Sequence, residues 1–116
     1  MTRHVLTIDV RDDPDAIEQY KAAHRRVWPE VTSSLRRAGV RQMEIFILGR
    51  RLVMIVEIDG TDVRRCFEAH AASSPRVVEW ERMMKGLQEP APGAASGEWW
   101  TAMEPVFRLE PQKCPT

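Results

Sequence analysis

Apolar residues recur along the chain with two clear periods. In "HVLTIDV" (4–10), Leu6, Ile8 and Val10 alternate with polar neighbours, which predicts a half-buried strand. "RDDPD" then reads as a turn into a helix, with Asp13 as N-cap and Pro14 at the first helical position. From there Ile17, Tyr20, His24, Val27 and Val31 recur at spacings of three and four, with Leu35 and Ala38 extending the stripe and Gly39 placed to stop it. Pro29 interrupts the run. It lacks an N–H and crowds the carbonyl one turn back, so a kink or a break into two helices is expected near Trp28.

The period then returns to two. "MEIFIL" (43–48) and "LVMIVEID" (52–59) flank Gly49-Arg50, a pair suited to a type II′ hairpin. That register puts Met43, Ile45 and Ile47 on one face with Met54 and Val56. Glu44, Phe46, Val53, Ile55 and Glu57 fall on the other, either exposed or against a partner. "GTDVRRCFEAHAA" predicts a short helix capped near Thr61 or Asp62. "SSPRVVEWERMMKGL" predicts a longer one, with Ser74 as N-cap, Pro75 first, and the stripe Val77, Trp80, Met84, Leu87. Residues 89–98 are rich in Pro, Gly, Ala and Ser and read as a surface loop. Met103, Pro105, Phe107 and Leu109 alternate again, which predicts an edge strand or one starting near Pro105. Residues 111–116 read as a tail.

The order is β-α-β-β-α-β, the ferredoxin-like α+β pattern: one antiparallel sheet with helices on one face, in a single domain spanning 1–116. The uncovered sheet face predicts pairing of two copies. Composition removes other classes. Lys plus Arg and Asp plus Glu each total 17, so the net charge is zero and neither a nucleic acid nor a membrane is expected as partner. Neither a signal-peptide core nor a long apolar run occurs, so the expected location is cytoplasmic. Cys66 and Cys114 are far apart, and neither a disulfide nor a metal site is expected; Cys66 reads as a buried thiol.

Two features carry chemistry. Tyr20 and His24 are one helical turn apart on a stripe that must face inward. A histidine at the edge of an apolar cleft is a general acid or base; the structural alternative is a core histidine satisfied by a carbonyl, with the tyrosine hydroxyl reaching solvent. The second feature is Trp80, beside Glu79. Trp80 is either packing or an apolar wall for a ligand, and Glu79 either a solvated side chain or a polar group at a cleft rim. Met43 reads as core. Trp99 and Trp100 are expected to clamp the loop or a subunit contact.

The run Tyr20-x3-His24-x3-Trp28-Pro29-Glu30, followed by Gly39, "MEIF", "MIVEI", Trp80-x2-Met83 and "MEPVFRL", resembles the L-rhamnose mutarotase family over most of the chain. The resemblance implies a homodimeric α+β barrel that interconverts the anomers of a 6-deoxy-sugar without metal or cofactor. It implies that His24 is the catalytic proton donor and Tyr20 a substrate-binding residue. Met43 stands where rhamnose-type members have a substrate-contacting tyrosine, and Glu79-Trp80 where they have a Trp-Trp pair. "QMEIF", "SPRVVEWE" and "GEWW" are closer to a branch linked to L-fucose, so L-fucose is favoured over L-rhamnose. The competing readings are a cofactor-free monooxygenase of the same architecture and a non-catalytic sugar-binding module.

Overall fold

A computed structural model describes residues 1–110; the expected tail, with Cys114, lies outside the described residues. The elements are β1 (Thr2–Val10), α1 (Pro14–Arg25), α2 (Pro29–Arg37), β2 (Val40–Leu48), β3 (Arg51–Ile58), α3 (Val63–Ala71), α4 (Pro75–Leu87), β4 (Gln88–Glu89) and β5 (Thr101–Ala102). Among the described residues, no helix is long and apolar enough to cross a membrane.

The helix starts follow the caps. Asp13 accepts from the Asp15 amide at 3.0 Å, Asp62 from the Arg65 amide at 3.0 Å, and Ser74 from the Val77 amide at 3.3 Å. Pro29 divides the first helical region. Proline drives the residue before it out of the helical well, and Trp28 sits at φ −59°, ψ 136°. Helix α1 therefore stops at Arg25 and α2 restarts at Pro29. At the far end of α2, Gly39 takes φ 106°, and its carbonyl accepts from the Asp59 amide at 2.8 Å, tying the turn to the end of β3.

The sheet runs β2-β3-β1-β4, with β5 also pairing β1, and every pairing is antiparallel. The β2–β3 register matches Met43 with Val56, Ile45 with Met54 and Ile47 with Leu52, as the alternation predicts. Gly49 alone supplies the positive φ (61°) of the hairpin, as a type II′ turn requires. Leu6, Ile8, Val10, Leu52, Met54, Val56 and Ile58 face the helices and are buried with Val31, Val77, Trp80 and Met84. This is the ferredoxin-like arrangement, with both helical regions split in two.

The C-terminal strand is the main correction. Residues 103–110 form no strand, and Val106, Phe107 and Leu109 are exposed. Two short pieces share the edge of β1: β4 opposite Asp9 and Val10, and β5 opposite Leu6 and Thr7. Met103 extends the β5 ladder by one bond, its amide donating to Val5 O at 2.8 Å. The next donor facing β1 would be residue 105, and Pro105 has none, so the ladder ends. The loop between the pieces accordingly runs over residues 90–100 rather than 89–98.

Candidate active site

Between the helices and the sheet lies a cleft of about 1130 Å³. Tyr20 and His24 from α1, Trp80 and Glu81 from α4, Met43 from β2 and Gln88 from β4 all line it. Residues from α1 and α4 meet here because their apolar stripes share one core with Ile8, Val10 and Leu52. Helix propensity sets each stripe; packing against β1 sets which turn of one helix faces which turn of the other.

The aromatic groups form a connected set. The Tyr20 and His24 ring centres are 4.3 Å apart with planes tilted 30°. His24 meets the edge of Trp80 at 5.5 Å, and Trp80 meets Trp28 at 5.2 Å, both near T-shaped. The Arg76 guanidinium covers the outer side of Trp28, 3.5 Å from its ring centre.

Proton positions follow from the partners. The Nδ1–H of His24 donates to the Tyr20 backbone carbonyl at 2.8 Å, since a carbonyl can only accept. Nε2 is left with its lone pair. Burial lowers the His24 pKa below the ordinary histidine value, with the bond to the Tyr20 carbonyl opposing it. The lowered pKa favours the neutral imidazole, whose Nε2 can accept a proton. Tyr20 is buried, and desolvation pushes its phenol up to about 12; the Gln88 amide lowers it and the charge of Glu81 raises it. Gln88 is itself oriented by Trp99, whose Nε1–H donates to Gln88 Oε1 at 2.8 Å. That contact occupies Gln88 Oε1 and leaves its NH₂ as the group that can donate to the phenol, in line with its lowering effect on the Tyr20 pKa.

Of the residues expected from sequence, Tyr20, His24, Met43 and Trp80 come together on this cleft. Glu79 does not. Its side chain is 63% exposed and pairs with Arg76 at 3.1 Å, and it lies outside the cleft lining. The reason is helical phase: Glu79 sits about 200° round α4 from Val77, whereas Glu81 lies one turn on, over the same face. Glu81, His70, Ser34 and Gln88 were not singled out by sequence. His70 is buried, with Nδ1 2.8 Å from Ser34 Oγ and Nε2 3.3 Å from Glu81 Oε1. Trp99 and Trp100 fold the 90–100 loop back against the core and line the cleft. Cys66 is a buried thiol that donates to Ala38 O at 2.7 Å, and burial raises its pKa.

Fold and cleft together define a ferredoxin-like α+β domain with a histidine and a tyrosine side by side on the wall of its cleft. The chain belongs to the L-rhamnose mutarotase family, whose model matches residues 3–109. It is 39% identical over 111 residues to an L-fucose mutarotase of Xanthomonas campestris pv. campestris, covering 94% of this chain and 89% of that one. Among solved structures it resembles an L-rhamnose mutarotase from Formosa agariphila (TM-score 0.67, 21% identity, 95% of this chain and 100% of that one). It also resembles tetracenomycin F2 cyclase from Streptomyces glaucescens, a type-II polyketide cyclase (TM-score 0.66, 20% identity, 97% and 100%). At those identities the structural likenesses speak for the fold.

Proposed function

We propose that this protein is a mutarotase, an isomerase that interconverts the α and β anomers of a 6-deoxy-sugar, with L-fucose favoured over L-rhamnose. The observation that carries the reading is the Tyr20–His24 pair: a neutral imidazole with one free nitrogen beside a protonated phenol, in an apolar cleft. Mutarotation needs one group to take a proton and another to give one, and no bond to the protein forms. In ring opening, His24 Nε2 takes the proton of the anomeric hydroxyl as C1 becomes an aldehyde. The C1–O5 bond breaks and O5 takes the proton of the Tyr20 hydroxyl. The aldehyde rotates about C1–C2 and closes on its other face. The imidazolium then returns its proton to O1, and the phenolate recovers its own from the O5 hydroxyl. His24 is thus the proton donor of the closing half-reaction. Trp80 supplies an apolar wall for the C–H face of the sugar and Met43 the floor, with shape in place of a hydroxyl partner.

The L-fucose preference rests on the relative from Xanthomonas campestris and on Met43. The reading includes a cytoplasmic homodimer. Phe46, Val53 and Ile55 leave apolar surface on the sheet face away from the helices, and Val106, Phe107 and Leu109 are exposed as well. The test is exchange NMR on the anomeric protons of L-fucose and L-rhamnose. Exchange well above the buffer rate, fastest for L-fucose, is expected. Binding without exchange would make the protein a sugar-binding module, and exchange of neither sugar ends the mutarotase reading.

A further inference from the structure

One buried polar cluster is not used by the acid–base pair. His70 is 4% exposed, and both of its ring nitrogens are engaged. Ser34, 6% exposed, contacts His70 Nδ1 at 2.8 Å and Ser73 Oγ at 2.7 Å, and Ser73 donates to the His70 carbonyl at 2.7 Å. On the other side, His70 Nε2 lies 3.3 Å from Glu81 Oε1. Three elements, α2, α3 and α4, therefore converge to fix one carboxylate, and both Glu81 and His70 line the same cleft as Tyr20 and His24.

We propose that Glu81 is the carboxylate that binds sugar hydroxyls and sets the orientation of the ring, with His70 as its positioning residue. This rests on the mutarotase reading for the ligand being a pyranose.

Glu81 has the features such a role needs. Its side chain is 33% exposed, and its Oε1 lies near His70; a carboxylate has a second oxygen that can accept. Drawing a carboxylate half out of water costs free energy that one histidine contact only partly offsets. Hydroxyl donors from a ligand complete it, through charge-assisted bonds about twice as strong as neutral ones. Trp80, the residue before it on α4, lines the same cleft. The two offer an apolar surface and an acceptor side by side, matching a ring with one C–H face and hydroxyls on its rim. Burial is the main cause of the raised Tyr20 pKa, and the nearby charge of Glu81 adds to it in the same direction.

The test separates orientation from chemistry. Affinity is measured with methyl L-fucopyranosides, which cannot open, and kcat and KM with free L-fucose. Glu81→Gln is expected to weaken glycoside binding and raise KM by roughly ten- to a hundredfold, the loss of one charged hydrogen bond, with kcat within about threefold. Glu81→Asp and His70→Asn should fall in between, and Glu79→Gln should match the unaltered protein. Among the 2-, 3- and 4-deoxy glycosides, at least one should bind Glu81→Gln and the unaltered protein alike, because its hydroxyl is the one Glu81 holds. In the unaltered protein, glycoside binding should move the His70 imidazole ¹⁵N resonances, a readout that needs no variant to fold. Affinity of Glu81→Gln within twofold, or still His70 resonances on saturation, overturns the proposal. A collapse of kcat at constant KM overturns it too, since Glu81 would then be a reacting group. If the unaltered protein binds glycosides without exchanging L-fucose, the mutarotase reading fails while the variant affinities still decide Glu81. If it binds no sugar, both fall.

Discussion

The Nδ1–H of His24 donates to the backbone carbonyl of Tyr20, one turn earlier on the same helix, so one bond fixes the imidazole tautomer and leaves Nε2 as the acceptor nitrogen. The acceptor nitrogen is active only while the ring is neutral. Because burial lowers the His24 pKa, the neutral form persists below the ordinary histidine range. The anomer-exchange rate should be level at neutral pH and fall only at a pH below the ordinary histidine value. His24→Gln should lower kcat by roughly 10²- to 10⁴-fold, the usual worth of a positioned base, and remove this limb of the profile. The same shift acts on stability. The unfolded chain takes up the His24 proton before the folded one does, so stability is full above the ordinary histidine pKa. It declines as pH falls from there through the lowered folded value. Urea midpoints at pH 7.5 and pH 5 should show less of that decline in His24→Gln.

Tyr20→Phe removes the proton that the mechanism sends to O5 and keeps the ring that packs on His24. Exchange should drop by at least about 10²-fold. The variant also leaves the Gln88 amide facing an apolar edge, at a cost of about 1–3 kcal/mol. Equilibrium urea denaturation measures that cost. An unchanged exchange rate with the stability loss present would make Tyr20 structural and pass the acid role to water.

Much of this was legible in the sequence, and the exceptions have identifiable causes. Caps, the Pro29 break and the hairpin register are local, and each appears where alternation and turn chemistry predict it. The alternation at 103–109 does not become a strand because the next amide that would face β1 after Met103 belongs to Pro105, which has no N–H. Glu79 stands outside the cleft lining for a reason of helical phase. Its neighbour on the chain, Trp80, is buried, but neighbours on a helix point about 100° apart. The stripe Val77, Trp80, Met84 already pointed to Glu81, a carboxylate one turn from Val77 and Met84's inward neighbour. His70 was legible the same way, since Val63, Cys66, Phe67 and His70 form a helical stripe of their own. Its pairing with Ser34 was not, because that depends on how α2 packs against α3.

Gly39 joins the first helical region to the sheet at φ 106°, a backbone conformation that side chains rarely adopt. An added Cβ would meet Cys66 Sγ at 3.6 Å, an ordinary contact, so the cost of Gly39→Ala is backbone strain and not collision. Destabilisation of more than about 1 kcal/mol is expected, with the m-value unchanged. The cleft is lined by residues on both sides of this turn, so KM should rise while the pH profile stays put. A neutral effect in urea would mean that the turn relaxes to another conformation.

The free sheet face provides the remaining prediction. Phe46 is 52% exposed, opposite Val53 in the β2–β3 ladder, with Ile55 two residues along. Glu44 and Glu57 flank these residues, so the patch is apolar at its centre and acidic along one side. On pairing of two copies through this face, the apolar centre is buried and the acids remain at the rim, the usual anatomy of an interface. Phe46→Glu combined with Ile55→Glu would bury four like charges per dimer at that centre, which neither desolvation nor repulsion allows. Sedimentation of the unaltered chain at micromolar concentration should give twice 13.4 kDa, and the double variant the single-chain mass. The variant should keep its helical circular dichroism, because neither residue faces the helix-side core. Exchange activity should persist in the monomer, since Tyr20, His24 and Trp80 all come from one chain. A monomeric mass for the unaltered protein would exclude this face as a stable contact.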